Sequence, residues 1–351
     1  METRYVDWQE KKAAAEALKN GEVILFPTET VYGIACLASS EKAYEALREA
    51  KGRPEEKPFT LMCAEVGTAV RYCKVDAHIS SVLQQFMPGE LTVLLPAREG
   101  IAHTIDLGTG VVGVRVPNSP EVLALIEEVG EPLLVSSANM SGCAPALNFE
   151  EAKAIFGSKV AMIIEGKTVS NTPSTIVDLT SPAGPKLIRQ GSLDFKKIEG
   201  VYQESPKTIA FGSDHGGFLY KEAIRDHVSA MGYNVIDFGC SSTSSVDYPA
   251  FGKAVGEAVA RGEANLGVVV CTSGEGISIA ANKVAGVRCG IGYDDVVVIK
   301  MREHNDANVI SFGQKYMKLE DVLRRVDIFL TMPFSAEAKH HRRVDQLGEI
   351  K

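Results

Sequence analysis

The chain has 351 residues, of which 45% are hydrophobic and 23% charged, and its formal net charge is −8. These values are ordinary for a folded globular protein and exclude collagen, coiled coil or disorder as its main structure. At about 100–200 residues per domain the length predicts two domains, and the acidic balance argues against a broad basic surface for nucleic acid.

Cysteine usage and the first residues bear on the setting of the protein. The seven cysteines are odd in number, scattered and never in a Cys-x-x-Cys pair, so we expect neither a disulfide framework nor a metal site. No run of 18 apolar residues occurs, and residues 1–12 have no apolar stretch behind their charges. We therefore expect no membrane span, no secretory signal and a cytoplasmic location.

The first half begins with a helix and a strand. Residues 8–20 are predicted to form a helix that Gly21 ends, and residues 22–26 follow as a buried strand. A second helix is predicted over residues 40–51, because its small and apolar residues recur at helical spacing.

Short polar motifs follow these elements. Pro27–Gly33 (PTETVYG) is rich in hydroxyl groups, Lys51–Lys57 (KGRPEEK) places three cations at a helix end, and Ser136–Gly142 follows an apolar strand. Arg115 and Arg189 lie in GVRVP and KLIRQG. Each motif alone is more often a solvated charge or a turn, but together they suit a polyphosphate or nucleotide. No GxxxxGK[ST] loop occurs, so the residues alone indicate only an anion-binding α/β domain.

The periodicity weakens over residues 196–206, which we interpret as a linker between domains at 1–195 and 207–351. Strands are then predicted over 208–212, 234–239, 267–271, 287–293 and 308–313, and helices over 217–231, 249–262, 277–283, 294–302 and 318–330. Five strands alternating with helices predict a doubly wound parallel sheet of Rossmann-like type. Ligands of such sheets bind beyond the carboxyl ends of the strands.

Three segments of the second domain carry candidate site residues, and we expect them at strand ends. They are 212–217 (GSDHGG), 271–276 (CTSGEG) and 302–306 (REHND), and Lys339 and Arg343 add a basic cluster that can clamp a phosphate. Singly, each is more often a core thiol, a surface histidine or a solvated helix face. Together, a thiol, a histidine, a glycine-rich turn and a basic cluster predict proton abstraction beside a carbonyl of a phosphorylated substrate.

The second domain resembles the RpiB/LacAB family of ribose-5-phosphate isomerase B. The resemblance covers residues 207–351 and rests on GSDHGG, on DYP at 247–249, on CTSGEGISIAANK at 271–283 and on REHNDANV at 302–309. It implies interconversion of ribose 5-phosphate and ribulose 5-phosphate without a metal or cofactor. It also implies a homodimer whose site draws on both subunits.

The resemblance implies a role for individual residues. Cys271 would be the base that moves a proton between two carbons, the N–H groups of residues 272–276 would hold the enediolate, and His304 would assist ring opening. The implied sugar-phosphate ligands are Asp214, His215, Tyr248, Ser273, Gly274, Gly276, Asn305, Lys339 and Arg343. Lys339 stands where the family has a phosphate-binding arginine, so the charge is kept and the bidentate fork is lost.

The first domain resembles the YrdC/TsaC family of L-threonylcarbamoyladenylate synthases. Over residues 10–195, PTETVYG, KGRPEEKPF, GVRVP, SSANMSG, PSTIVDL and LIRQG occur in the order of that family. The resemblance implies an open, twisted α/β sheet with a large cleft. The implied reaction converts L-threonine, bicarbonate and ATP, with Mg²⁺, to threonylcarbamoyl-AMP and pyrophosphate, for threonylcarbamoyl modification of tRNA adenosine.

The same resemblance implies two ligand sets in that cleft. The implied ATP ligands are Lys51, Arg53, Lys57, Asn139 and Arg189, and the implied threonine ligands are Thr30, Arg115, Ser137 and Thr175. Two alternatives stay open. The first half could be an RNA- or nucleotide-binding module that works with tRNA-modification proteins, and the isomerase could act on allose or galactose 6-phosphate.

Overall fold

A computed structural model describes residues 2–53, 57–335 and 337–350. The chain forms two compact units, the first of Met1–Lys74 and Gln85–Tyr202, the second of Val75–Gln84 and Gln203–Lys351. Among the described residues, no helix is long and apolar enough to cross a membrane.

The first unit is built on a mixed sheet. Its strands are β1 (Arg4–Val6), β2 (Ile24–Pro27), β3 (Tyr32–Leu37), β4 (Thr60–Met62), β5 (Leu91–Pro96), β6 (Val111–Arg115), β7 (Leu133–Ser137), β8 (Met162–Ile164), β9 (Thr175–Asp178) and β10 (Lys186–Arg189). Within the described part of the chain, the strand order is β1-β8-β2-β3-β7-β4-β6-β5-β9-β10. Parallel pairs such as β4 and β6 stand beside antiparallel pairs such as β3 and β7.

This part of the chain also contains helices. They are α1 (Lys11–Lys19), α2 (Glu41–Lys51), α3 (Val66–Ala69), α4 (Ala77–Phe86), α5 (His103–Asp106), α6 (Pro120–Val129), α7 (Phe149–Phe156) and α8 (Phe195–Tyr202). A short 3₁₀ turn, Trp8–Glu10, precedes α1. The fully buried Leu18 of α1 and Leu125 of α6 belong to one core cluster with residues of the sheet.

Two helices bear on the predicted domain bounds. Most of α4 belongs to the second unit, where the Ala77 N–H donates to Met231 O at 2.9 Å and the Ser80 hydroxyl to Leu330 O at 3.2 Å. Helix α8 lies within the first unit and occupies much of the predicted linker. Its Ile198 is fully buried, so this stretch packs as a helix despite its charges.

Local sequence fixes the position of α2, which carries part of the candidate site. The Ser40 hydroxyl accepts the N–H of Ala43 at 3.2 Å and caps the start of the helix. The helix ends at Gly52, whose φ of +57° is in the left-handed region that favours glycine. This exit places Lys51 and Arg53 at the end of a fixed element.

The second unit holds a parallel sheet. Its strands are β11 (Thr208–Ser213), β12 (Asn234–Asp237), β13 (Leu266–Cys271), β14 (Cys289–Ile291) and β15 (Val309–Gly313). Its helices are α9 (Phe218–Ala230), α10 (Pro249–Ala260), α11 (Glu275–Asn282), α12 (Asp295–Asn305), α13 (Leu319–Thr331) and α14 (Ala338–Glu349). For the described residues the strand order is β12-β11-β13-β15-β14, and every pairing is parallel.

These two sheets confirm the predicted fold class, an α/β sheet followed by a doubly wound parallel one, and the structure adds that the first sheet is mixed. In the second sheet the chain first adds β12 on one side of β11 and then returns to add β13 on the other side. The carboxyl ends of β11 and β13 therefore flank a topological switch point, where this type of sheet binds ligands.

Candidate functional sites

A cleft of about 500 Å³ opens in the first unit. The turn between β2 and β3, the end of α2 and the strands β4 to β7 all contribute to its walls. Eight of the nine residues predicted for this half line it, namely Thr30, Lys51, Arg53, Lys57, Arg115, Ser137, Asn139 and Arg189. Residues 54–56 of the KGRPEEK motif lie outside the described residues.

Lys51 is the most buried cation of the cleft. It is 2% exposed, and its ammonium group donates to the carbonyl of Ser137 and to Asn139 Oδ1, the latter at 3.2 Å. Burial, and then the charge of Arg53, lower the pKa of Lys51 to about 7. An anion in the cleft would favour the charged form of this amine and would be bound more tightly in return.

Arg53 lies beside it and is held from three sides. Its guanidinium donates to Ser136 Oγ at 3.1 Å and to Pro58 O at 3.0 Å, and it lies 4.6 Å from the centroid of the Phe59 ring. Its Nε is buried without a hydrogen-bond partner among the described residues. Burial lowers the pKa of Arg53, so this cation also gains from an incoming anion.

Arg115 forms a second cationic point with a carboxylate beside it. Its Nη2 donates to Glu29 Oε1 at 2.8 Å and to Thr30 Oγ1 at 3.0 Å, and Thr30 shares a 2.8 Å hydroxyl pair with Thr28. Both members of the ion pair are 7% exposed. Glu29 was absent from the sequence prediction, although it stands inside the PTETVYG motif.

Arg189 enters the cleft from the edge strand β10. Its Nε and Nη2 donate to the carbonyl of Ser174 at 3.2 and 2.8 Å, and the Ser174 hydroxyl pairs with Thr92 Oγ1 at 2.8 Å. Burial and the charge of Arg115 lower the pKa of Arg189. Ser174 and Thr92 line the cleft but were not predicted, although Ser174 stands inside the PSTIVDL motif beside the predicted Thr175.

Thr175 is the one predicted residue of this half that does not line the cleft. It is fully buried, its hydroxyl donates to Leu193 O at 2.7 Å, and it accepts the N–H of Gly191 at 3.0 Å. Strand alternation explains this, because its neighbours Ser174 and Ile176 face the cleft instead.

The cleft as a whole suits a highly charged anion. Among the residues described as lining it, five are cations and none is acidic. Small hydroxyl and amide groups fill the spaces between these cations. Such a lining neutralises a polyphosphate and gives it directional hydrogen bonds.

The second unit places Cys271 at the carboxyl end of β13. The thiol is 4% exposed, and its sulfur accepts the N–H of Gly274 at 3.1 Å. Gly274 has φ +84°, and a Cβ there would lie 2.9 Å from the backbone of Phe312, so only glycine fits this turn. The turn aims the N–H of Gly274 at the sulfur, just before the start of α11.

The segment after β11 touches this turn. A Cβ at Gly216 would lie 2.0 Å from Thr272 Oγ1, and one at Gly276 would lie 2.6 Å from Tyr248 Cζ. Asp214 is 6% exposed and accepts the N–H of Gly217 at 3.1 Å. The structure thus brings seven predicted residues together at the carboxyl edge, which are Asp214, His215, Tyr248, Cys271, Ser273, Gly274 and Gly276.

One further residue contacts the turn after β13 and was not predicted. Lys315 follows the end of β15, and its backbone N–H donates to Thr272 O at 3.1 Å. It stands in the stretch FGQK, which has no recognisable motif, so only the strand register brings it here.

Of the remaining predicted residues, His304 and Asn305 lie at the opposite edge of the sheet, and Lys339 and Arg343 lie on α14. Residues 302–306 were expected at a strand end, but the structure places them where α12 ends, just before β15 begins. In β15, Val309 pairs with Gly267 and Gly313 pairs with Cys271. His304 is therefore separated from Cys271 by the length of the strand, roughly 13 Å at about 3.3 Å per residue. That expectation was wrong, because α12 runs back from the carboxyl edge to the amino edge.

His304 is joined at this amino edge by helix α14. Its ring stacks on that of His340, with centroids 4.2 Å apart and planes 5° apart. Lys339 pairs with Glu337 at 2.6 Å, while Asn305 and Arg343 are exposed. Within one chain, the predicted sugar-phosphate site is thus divided between two edges.

Comparisons with known proteins agree with this division into two halves. The Sua5/YciO/YrdC model, described as telomere recombination, matches residues 16–191, and the LacAB/RpiB model, described as ribose/galactose isomerase, matches residues 209–347. Threonylcarbamoyl-AMP synthase of Mus musculus is 33% identical over 192 residues, which cover 52% of this chain and 68% of that protein.

Two further comparisons cover one half each. Ribose-5-phosphate isomerase B of Escherichia coli K12 is 40% identical over 145 residues, covering 41% of this chain and 97% of that protein. The crystal structure of E. coli YciO is 28% identical, with a TM-score of 0.51, and covers 56% of this chain and 98% of that chain. Among the described residues, no group of three or more metal-ligating side chains occurs.

Proposed function

Because the chain belongs to the Sua5/YciO/YrdC family through residues 16–191 and to the LacAB/RpiB family through residues 209–347, we propose that it is a bifunctional enzyme. The first unit makes L-threonylcarbamoyladenylate from L-threonine, bicarbonate and ATP, a donor for tRNA modification. The second unit interconverts an aldose phosphate and a ketose phosphate. The observation that carries the first activity is the convergence of five cations, with no described acid, on one cleft.

The first reaction needs stabilisation of phosphoryl charge more than proton transfer. The amine of threonine and bicarbonate condense to a carbamate with loss of water, and a carbamate oxygen attacks the α-phosphorus of ATP while the bond to the leaving pyrophosphate breaks. The carbamate oxygen is already an anion, so no strong base is required for this step. Lys51, Arg53 and Arg189 face the developing charge, with ATP entering as its magnesium complex.

Arg115 and Thr30 are the groups that we assign to threonine. A guanidinium binds a carboxylate with two parallel hydrogen bonds, and the adjacent hydroxyl can pair with that of the substrate. Glu29 offsets the charge of Arg115 and holds its Nη2 in place.

Pyrophosphate release tests this half. Full-length protein given ATP, threonine and bicarbonate should release pyrophosphate only when all three are present. Lys51→Met should abolish the release, whereas Lys42→Met, on the exposed side of the same helix, should not. Retained RNA binding without release would favour the binding-module alternative.

The second reaction depends on the thiol of Cys271, which lies at the topological switch point of the parallel sheet. The Cys271 thiolate takes the proton from C2 of the open-chain aldose and returns it to C1, while a proton moves between the two substrate oxygens. The N–H groups of the 272–276 turn stabilise the enediolate that forms between these steps. No cofactor is required, because the substrate supplies the electrons and its own carbonyl.

We propose that a second copy of the chain completes this site. His304 and Asn305 lie at the amino edge of the sheet, away from Cys271 of the same chain, and Lys339 and Arg343 lie on α14, whose His340 stacks on His304. In a homodimer, this edge of one copy would meet the carboxyl edge of the other, so that His304 assists ring opening and the cations bind the phosphate.

The identity of the sugar is tested by a direct comparison of substrates. We propose ribose 5-phosphate, and the lysine at position 339 raises allose 6-phosphate or galactose 6-phosphate as alternatives. Five- and six-carbon phosphates assayed side by side should give the highest kcat/KM with ribose 5-phosphate. A higher kcat/KM for a hexose phosphate would reassign the substrate.

A further inference from the structure

His340 is a buried histidine that neither proposed reaction uses. It lies on α14, is 2% exposed and covers one face of the His304 ring in a parallel stack. Buried polar groups are nearly always hydrogen-bonded, yet neither ring nitrogen of His340 has a hydrogen-bond partner among the described residues. Hydrogen bonds of its own ring therefore do not explain why His340 is buried at this position.

Glu337 and Lys339 are charged residues close to His340. Its Nε2 lies 3.7 Å from Glu337 Oε1, beyond hydrogen-bond distance, and the Glu337 side chain is more than half exposed. Lys339 is adjacent in sequence and forms its own pair with Glu337. The His340 ring presents a flat face to His304 and makes no hydrogen bond of its own among the described residues.

The ring of His304 is oriented from two directions. His340 covers a face, and Glu303 Oε2 lies 3.2 Å from Nε2 of His304 at the edge. Burial lowers the pKa of His304 below its ordinary 6.5, Glu303 opposes this, and the charges of His340, Lys300 and Lys339 add to the lowering. Lys300 and Glu303 lie on α12, Lys339 and His340 lie on α14, and Glu337 immediately precedes α14. These are the charged and titratable residues around the His304 ring.

We propose that His340 is a positioning residue for the isomerase, which stacks on His304 and holds its ring correctly oriented for ring opening in the site of a second copy. This inference rests on the proposed isomerase function. Because the ring of His304 is already held in place by the stack, it needs no rearrangement before it accepts the proton of the sugar hydroxyl. Misplacement by about 1 Å can cost up to a hundredfold in rate.

The test compares two substitutions in the full-length protein. His340→Ala removes the flat surface and should lower kcat about tenfold or more, with KM for the sugar phosphate within about threefold. Water would then reach the exposed face of His304, so the acid limb of the pH–rate profile should move up toward 6.5. His340→Phe restores a flat ring without nitrogens and should recover most of the lost kcat and the original profile.

The matched control is His341→Ala. His341 is the exposed neighbour that contacts Phe334, so its removal tests for a general effect of truncating this helix. It should leave kcat and the pH profile unchanged. Unfolding temperatures of all variants separate loss of stability from loss of orientation.

A readout independent of turnover is the pKa of His304 measured by imidazole NMR. It should rise in His340→Ala and stay near the wild-type value in His340→Phe. An unchanged His304 pKa and pH profile in His340→Ala would overturn the inference, as would a folded His340→Phe as impaired as His340→Ala. If the wild-type protein isomerises no sugar phosphate, the proposed function fails, while the NMR comparison still decides whether His340 controls His304.

Discussion

The two units differ in how they gather their candidate residues. In the first unit, eight of nine predicted residues line one cleft within a single chain. In the second unit, seven predicted residues meet at the carboxyl edge of the sheet and four, His304, Asn305, Lys339 and Arg343, lie elsewhere, at the amino edge or on α14. Within one chain, the predicted residues of the first site converge and those of the second do not.

The difference follows from sheet topology. In the first unit, strands run in both directions, so that β3, β4, β6 and β7 can each bring a residue or a turn to the same cleft. In an all-parallel sheet, every strand ends at one edge and every crossover helix ends at the other. Cys271 ends a strand and His304 ends a helix, so one chain cannot join them. Topology therefore determines which of the predicted residues can converge within one chain.

The largest effect is expected from Cys271→Ala, which should impair the activity of the second unit and leave that of the first unit intact. Removing the base should lower isomerisation by about a thousandfold, within the range for general base catalysis. Pyrophosphate release by the first unit should be unchanged, since its cleft holds none of these residues. The control is Cys289→Ala, which removes a thiol at the amino end of β14. Full isomerase turnover by folded Cys271→Ala would refute the assignment.

The next effect concerns ATP binding and Lys51. The pKa of Lys51 in the free protein is lowered to about 7, so above this pH the amine is neutral until an anion binds and raises its pKa. ATP binding must then take up a proton, and its affinity should fall by up to about tenfold per pH unit above pH 7. Calorimetry in two buffers of different ionisation enthalpy measures that proton.

Two variants decide whether Lys51 is the group that titrates. Lys51→Gln should bind ATP more weakly and lose both the proton uptake and the pH dependence. Lys42→Gln, an exposed residue of the same helix, should keep both. Equal pH dependence in Lys51→Gln and wild type would assign the proton to another group.

Thr175→Val tests whether Thr175 belongs to the candidate site of the first unit. Because the Thr175 hydroxyl bonds to Leu193 O and to the Gly191 N–H, its loss should cost about 1–3 kcal/mol of stability. The KM for threonine should stay within about twofold, since the side chain does not line the cleft. Denaturant unfolding measures the loss of stability, and steady-state kinetics with threonine measure the KM. A large rise in KM at unchanged stability would return Thr175 to the binding site.

The smallest effect is expected from Lys339→Arg. The lysine now pairs with Glu337 and offers a point charge, whereas a guanidinium would grip a phosphate with two parallel hydrogen bonds. The KM for the sugar phosphate should fall about two- to threefold at unchanged kcat. Arg342→Lys, at an exposed neighbouring position, serves as the control. A rise in KM in Lys339→Arg would mean that position 339 does not meet the phosphate.

Much of the fold was predictable because its signals are local. Alternating strands and helices over residues 208–330 predicted the parallel sheet, and β11 to β15 confirm it. The mixed strand order of the first unit was not predictable from periodicity, because it depends on pairings between distant segments such as β1 with β8.

The candidate sites were predictable where motifs carry the residues. The motif residues of the first half converge, whereas Glu29, Ser174 and Thr92 were missed since their role comes only from tertiary contacts. The position of His304 was mispredicted for the same reason. The sequence contains the residue but not the direction of the helix that carries it.

The most direct test of the two-copy account is subunit complementation. Folded Cys271→Ala and His304→Ala proteins should each be inactive as isomerases, and random exchange between equal amounts should restore about a quarter of wild-type activity, because half of the dimers are mixed and each has one intact site. Lys51→Ala mixed with Arg189→Ala should restore no pyrophosphate release, since that cleft lies within one chain. Mixed isomerase dimers that form and stay inactive would contradict the account.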